Sequence, residues 1–231
     1  RNTLPRPRMP GALAALAAFC AALALPAHAA DLARVASPDG SLVVVLESQH
    51  EGRLAYRLER NGEAVLAPSR LGFLLGDGRL ERNLELAGQS SRSFDQTWEQ
   101  PWGERRLVRD HYNELRASFA EKAVGGRDPG RRFDVVFRVH DDGVGFRYEF
   151  PRQPAMEQVR IRQELTEFAV AGPATAWWIP AFEWNREEYL YSRTPLSEVG
   201  TAQTPITLRT GRGLHLAIHE AALVDYAGMN L

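Results

Sequence analysis

Two groups of residues in this chain have types and spacings that could do chemistry. The first is aromatic and acidic. "WEQPWGE" and "WWIPAFEWNREEYLY" hold all five tryptophans, Trp98, Trp102, Trp177, Trp178 and Trp184, with Glu183, Glu187 and Glu188 beside the last three. Indole faces stack on the apolar faces of sugar rings, so such clusters can form a carbohydrate platform. They serve equally to fill a core or a domain interface, and the sequence leaves both readings open. A glycosidase needs two carboxyl groups about 5–10 Å apart across the sugar. Neighbours on one short segment rarely achieve that, so a solvated acidic edge is the simpler reading of the three glutamates.

The second group closes the chain. "GLHLAIHE" alternates as a strand, sending Leu214, Leu216, Ile218 and Glu220 to one face and His215, Ala217 and His219 to the other. On a helix, His215 and His219 would chelate zinc. On a strand they stand about 13 Å apart, which argues against a two-histidine site. "HEAAL" also lacks the second histidine of H-E-x-x-H. Glu220 is the odd member, because a carboxylate that extends an apolar face is costly unless it is paired, hydrogen-bonded or metal-bound. The alternative is that it lies past the strand end and faces water. The remaining histidines of the mature region, His50, His111 and His140, form no spaced motif. An aldose mutarotase needs a converging acid and base, and His111, His215 and Glu220 are available, but no spacing selects them. No phosphate-binding glycine loop or G-x-S-x-G elbow occurs, and "GGRDPGRR" reads as a loop.

The elements that must position these residues read as short strands. "SLVVVLE", "RLAYRLER", "EAVLAP" ending at Pro68, "LGFLLGDG", "RRFDVVFRV", "FRYEFP", "VRIRQELTEFAV" and the two arms of "TPITLRTGRGLHLAIHE" are separated by polar or glycine turns. Asn61-Gly62 is a strong hairpin signal. "HDDGVG" predicts a second hairpin, with Phe133, Val135, Phe137 and Val139 on one face of its first arm. Gly211-Arg212-Gly213 predicts a third. Useful 3.6-residue stripes are missing, so the class is all-β, a sandwich or barrel in one mature domain.

Composition narrows the function. The 231 residues are 44% hydrophobic and 25% charged with net charge −1. That balance argues against a nucleic-acid or polybasic membrane role. Residues 1–29 differ in kind. Arg1, Arg6 and Arg8 precede a 15-residue apolar run from Gly11 to Leu25, then Pro26 and the small-x-small sequence Ala27-His28-Ala29. This pattern is that of a secretory signal peptide and is short for a membrane span. The expected mature domain is residues 30–231, periplasmic or secreted. Cys20 lies inside the apolar run, so the mature domain has no cysteine for disulfide or thiolate chemistry.

Six ordered segments resemble the N-terminal region of glycoside hydrolase family 97. They are "SPDGSLVV", "NGEAVLAPSRLGFLL", "WEQPWGERRLVRDHYNEL", "FRVHDDGVGFRYEFP", "WWIPAFEWNREEYLYSRTPLSEV" and "AQTPITLRTGRGLHLAIHEAALVDYAGMNL". The resemblance implies a β-super-sandwich similar to the galactose mutarotase fold. It implies packing on a (β/α)8 barrel that carries the catalytic groups and is not in this chain, and an oligosaccharide substrate hydrolysed as by an α-glucosidase or α-galactosidase. It also implies a Ca2+ ion at the barrel mouth, to which this domain contributes one glutamate; the carry-over falls on Glu220. Other expectations, without the barrel, are a stand-alone carbohydrate-binding module or the mutarotase considered above.

Overall fold

The computed structural model describes residues 29–123, 130–182 and 188–231. Most of the proposed signal segment, together with Glu183, Trp184 and Glu187, therefore lies outside the described residues. Among the described residues there are four antiparallel sheets and no α-helix. β1 (Ala30–Ala36), β2 (Leu42–Gln49), β3 (Arg53–Arg60) and β4 (Glu63–Arg70) form the first sheet in sequence order. The turn between β3 and β4 is Asn61-Gly62, whose φ angles of 50° and 79° match a tight hairpin turn.

β5 (Phe73–Leu75) and β6 (Gly78–Leu80) join β11 (Ile161–Glu164) in a small sheet ordered β11-β5-β6. β7 (Leu84–Glu99), β8 (Leu107–Glu121), β9 (Arg132–Val139) and β10 (Val144–Glu149) form the second large sheet, ordered β10-β9-β8-β7. The last sheet is β13-β12-β14-β15, from β12 (Ala174–Trp178), β13 (Ser192–Pro195), β14 (Ile206–Thr210) and β15 (His215–Ile218).

The core lies between the two large sheets. Val44 and Leu46 of β2 and Leu54 and Tyr56 of β3 meet Leu115, Ala117 and Phe119 of β8 and Phe133, Val135, Phe137 and Val139 of β9. Phe133, Val135, Phe137 and Val139 are completely buried, as their period-two spacing predicts. Each buried phenylalanine contributes about 1.5–3 kcal/mol of hydrophobic stabilisation. A smaller cluster of Ala176, Ala202, Ile206 and Leu208 lies under the last sheet, and Val170 packs on both clusters.

One sequence expectation is corrected, and one hairpin carries no sequence signal. β4 runs through Pro68 to Arg70 instead of ending at the proline. Its register against β3 shifts there, and the Ala67 N–H donates to the Ala169 carbonyl at 2.7 Å. At such a bulge a missing proline N–H breaks no ladder bond. The hairpin of β7 and β8 carries no period-two signal on β7, because this edge strand is exposed along most of both faces. "WEQPWGE" therefore lies at the far end of a long two-stranded ribbon, with the Gln100 N–H donating to the Arg106 carbonyl at 2.9 Å.

The outer face of the second large sheet is held by ions. Glu114, nearly buried, receives Arg92 Nε at 2.7 Å and Nη2 at 3.0 Å, and Arg138 Nε at 2.9 Å. Arg116 Nη1 bridges Asp134 and Glu149, each at 2.6 Å. The hydrogen bonds of Arg92, then those of Arg138, hold the Glu114 carboxyl at about 2 against an ordinary value near 4.5, outweighing desolvation. A depressed folded pKa stabilises above the unfolded value, and that stabilisation is lost as pH falls through the folded one. With the screening around two partly exposed guanidinium groups, the loss between pH 4.5 and 2 should be about 1–2 kcal/mol. In urea denaturation, Glu114→Gln is expected to be less stable at pH 6 and to have a flatter acid limb below pH 4.5. An unchanged acid limb would remove Glu114 as its source.

Candidate metal-ligand site

The site is built at the edge of the last sheet. Ile206 and Leu208 of β14 pair with Ile218 and Leu216 of β15, and these side chains pack on the small cluster. His215 and Ala217 point to the other face and are exposed. Glu220 continues the apolar parity two residues beyond Ile218 and is half-buried.

The chain then leaves the sheet, turns through Asp225 at φ 50°, and returns. Asn230 pairs with Gln203, and Ala202 and Leu231 exchange both backbone bonds, at 2.7 and 2.9 Å. The Leu231 side chain joins the small cluster. The Glu220 carboxylate closes this loop: Oε1 accepts the Met229 N–H, and Oε2 accepts the Thr204 hydroxyl at 2.7 Å. These two bonds, the Met229 one foremost, lower its pKa, and the neighbouring His219 adds to them. The acid is thus neither unpartnered nor simply solvated. Thr204 is the residue that the β14–β15 register, carried two residues past Ile206 and Ile218, sets opposite Glu220, whereas Met229 reaches it only through the returning loop.

A second tie lies beside the first. Tyr226, midway along the loop, donates from its hydroxyl to Glu164 Oε2 at 2.6 Å. Thr166 donates to the other oxygen of Glu164 at 2.5 Å, and the Tyr148 hydroxyl meets Thr166 at 2.7 Å. Desolvation, then the bond to Glu164, raises the Tyr226 pKa well above the ordinary phenol value, so the phenol stays protonated and donates.

Glu220 suits a hard cation. Each carboxylate oxygen takes one hydrogen bond, and an ionised carboxylate has about four lone-pair sites, so about two remain outward. Calcium requires about 6–8 oxygens. Among the described residues no group of three or more histidine, cysteine or acidic side chains is placed to hold an ion. Glu220 fits as one ligand of a larger set, and the described residues do not complete that set.

The other candidates are dispersed. His215 lies on the opposite face of its strand from Glu220, and His111 lies on β8, opposite Asp95. The acid–base trio considered for a mutarotase does not converge. Trp98 and Trp102, 50% and 82% exposed, sit at the far end of the β7–β8 ribbon. Trp177 and Trp178 occupy opposite faces of β12. Arg193 lies over Trp177 at 5.4 Å, and Trp178 packs on the small cluster with its indole N–H on Thr194 Oγ1 at 3.0 Å. The described tryptophans therefore form no single sugar platform. Glu188 is exposed.

Stacked antiparallel sheets with a smaller sheet appended make this an all-β super-sandwich domain. The chain belongs to the glycosyl-hydrolase 97 N-terminal family, whose model matches residues 35–231. It is 30% identical over 216 residues to a probable retaining alpha-galactosidase of Streptomyces bingchenggensis, covering 91% of this chain and 32% of that protein. It is 25% identical over 228 residues to a retaining alpha-galactosidase of Bacteroides thetaiotaomicron, again 32% of its length. Among solved structures, a glycoside hydrolase family 97 enzyme from Pseudoalteromonas sp. strain K8 in complex with panose matches with a TM-score of 0.80 and 40% identity. That match covers 86% of this chain and 30% of the enzyme. The chain thus spans about a third of the length of the relatives it matches.

Proposed function

We propose that this chain is the N-terminal sandwich of a secreted, calcium-assisted, exo-acting α-glycosidase that hydrolyses α-galactosidic or α-glucosidic bonds of oligosaccharides. The observation that carries the reading is the family match over residues 35–231. The chain's role is to pack on a catalytic barrel and present Glu220 to a calcium ion at the barrel mouth. Its half-buried carboxylate, held by Thr204 and Met229 with lone pairs to spare, supports that role. A calcium ion held there would orient the sugar and act as a Lewis acid towards it. The basic start, apolar run and Ala27-His28-Ala29 support export.

The test uses the whole protein. Hydrolysis of p-nitrophenyl α-galactoside and α-glucoside is measured before and after chelation and again after calcium repletion. The expected result is activity on one of the two, lost on chelation and regained with calcium. No activity on either substrate would overturn the glycosidase reading, and activity indifferent to chelation would overturn the calcium role.

One observation favours a second reading, a carbohydrate-binding module: Trp102 is 82% exposed at a ribbon tip beside half-exposed Trp98 and Leu107. Under this reading, malto-oligosaccharides should quench tryptophan fluorescence, and Trp102→Ala should abolish the quenching. Equal quenching in both proteins would dismiss it.

A further inference from the structure

We infer that Tyr226 is a positioning residue whose hydrogen bond to Glu164 latches the loop between Glu220 and Met229 and so fixes the aim of the Glu220 carboxylate. This rests on the proposed role of Glu220 as a calcium ligand.

The loop has little else to hold it. Leu223 and Val224, at its outer part, are 52% and 76% exposed. Its ends are fixed where Glu220 leaves the last sheet and where Asn230 and Leu231 pair with Gln203 and Ala202. Between these ends, Tyr226 ties the loop to a different sheet, because Glu164 closes β11.

That anchor is stiff. Glu164 is held from its other oxygen by Thr166, Thr166 meets the Tyr148 hydroxyl, and the Tyr148 ring packs edge-on against Phe73 at 4.6 Å in the main core. The chain of bonds therefore runs from the main core to the loop. The bond sets a phenol on a carboxyl oxygen at 2.6 Å, and the raised pKa of Tyr226 keeps the proton on the donor.

The loop in turn aims the ligand. The Met229 N–H is one of the two donors on Glu220, and its direction follows the loop backbone. If the loop drifts, Glu220 retains only Thr204 as a fixed partner. A ligand that must be oriented at the moment of binding binds less tightly. Loss of an outer-shell partner of this kind typically weakens metal affinity by about 10–100-fold. Tyr226 acts through the loop backbone and does not touch Glu220, so the lower end of that range is expected.

The test compares wild type, Tyr226→Phe, Glu164→Ala and Glu164→Gln in the whole protein. Calcium affinity is measured by isothermal titration, and hydrogen exchange is followed over residues 221–229. Tyr226→Phe and Glu164→Ala should each raise the calcium Kd about tenfold and speed exchange in the loop. The turnover rate at saturating calcium should stay as in wild type. Glu164→Gln keeps a carbonyl oxygen for the phenol and should bind calcium close to wild type. That rescue would not follow from a general loss of stability.

If wild type binds calcium and Tyr226→Phe binds it equally well, the latch is overturned while the Glu220 reading stands. Faster loop exchange without a change in affinity overturns it in the same way. If wild type binds no calcium, the Glu220 reading fails, and the latch loses its function with it.

Discussion

Glu220→Gln in the whole protein is expected to weaken calcium binding by at least about 100-fold, since calcium affinity is tuned by ligand charge count and this change removes a charged ligand. The substitution is informative because the local geometry tolerates it. The new carbonyl oxygen can accept the Met229 N–H where Glu220 Oε1 does now. The new amide can donate to the Thr204 hydroxyl, which rotates to accept. Both contacts survive, and the charge and one metal-binding oxygen do not. The expected signature is a displaced calcium titration curve with only a small drop of the melting transition in chelator, since the bonds that lower the Glu220 pKa favour its charged form. Glu220→Ala would confound the two effects by also freeing Met229 and Thr204. Equal calcium affinity in Glu220→Gln and wild type would remove Glu220 from the ligand set.

Phe137→Ala is expected to cost about 3–5 kcal/mol, the range for truncating a buried aromatic side chain. Phe137 lies at the centre of the main core and is completely buried. Its ring sits 5.7 Å from that of Tyr56 on β3 and 5.1 Å from that of Phe146 on β10, so it joins the two large sheets. The cavity has little freedom to collapse. Phe137 pairs with Leu115 on one side and Phe146 on the other, and both neighbours are fixed in continuous ladders. The measurement is the urea midpoint and slope, with Leu190→Ala as the control. Leu190 is 93% exposed, and its loss should stay within about 0.5 kcal/mol. Comparable losses in both variants would mean that the core is not organised around β9.

The period-two pattern of β9 was legible because its physics is local. Alternate side chains of one strand must point to one face, so four apolar residues two apart specify a buried face before any partner is known. Asn61-Gly62 was legible for a similar reason: few residues accept positive φ, and the turn needs two in succession. β7 escaped because an exposed edge strand buries neither face and so carries no alternation. Pro68 misled because a bulge tolerates a residue that a regular ladder excludes.

The same division runs through the candidate site. The sequence by itself determined that Glu220 follows Leu216 and Ile218 on one face and that His215 faces the other way, and it left two readings of the acid: partnered, or past the strand end in water. The ordered motifs also carried the family. Only the tertiary structure decided what the partners are. Thr204 stands opposite Glu220 where the β14–β15 register is carried two residues past Ile206 and Ile218, Met229 comes from a loop that doubles back, and Glu164, which meets Tyr226, comes from another sheet. Side-chain parity is set by the nearest peptide bonds, whereas these hydrogen bonds join groups up to 62 residues apart and depend on the whole path of the chain between them.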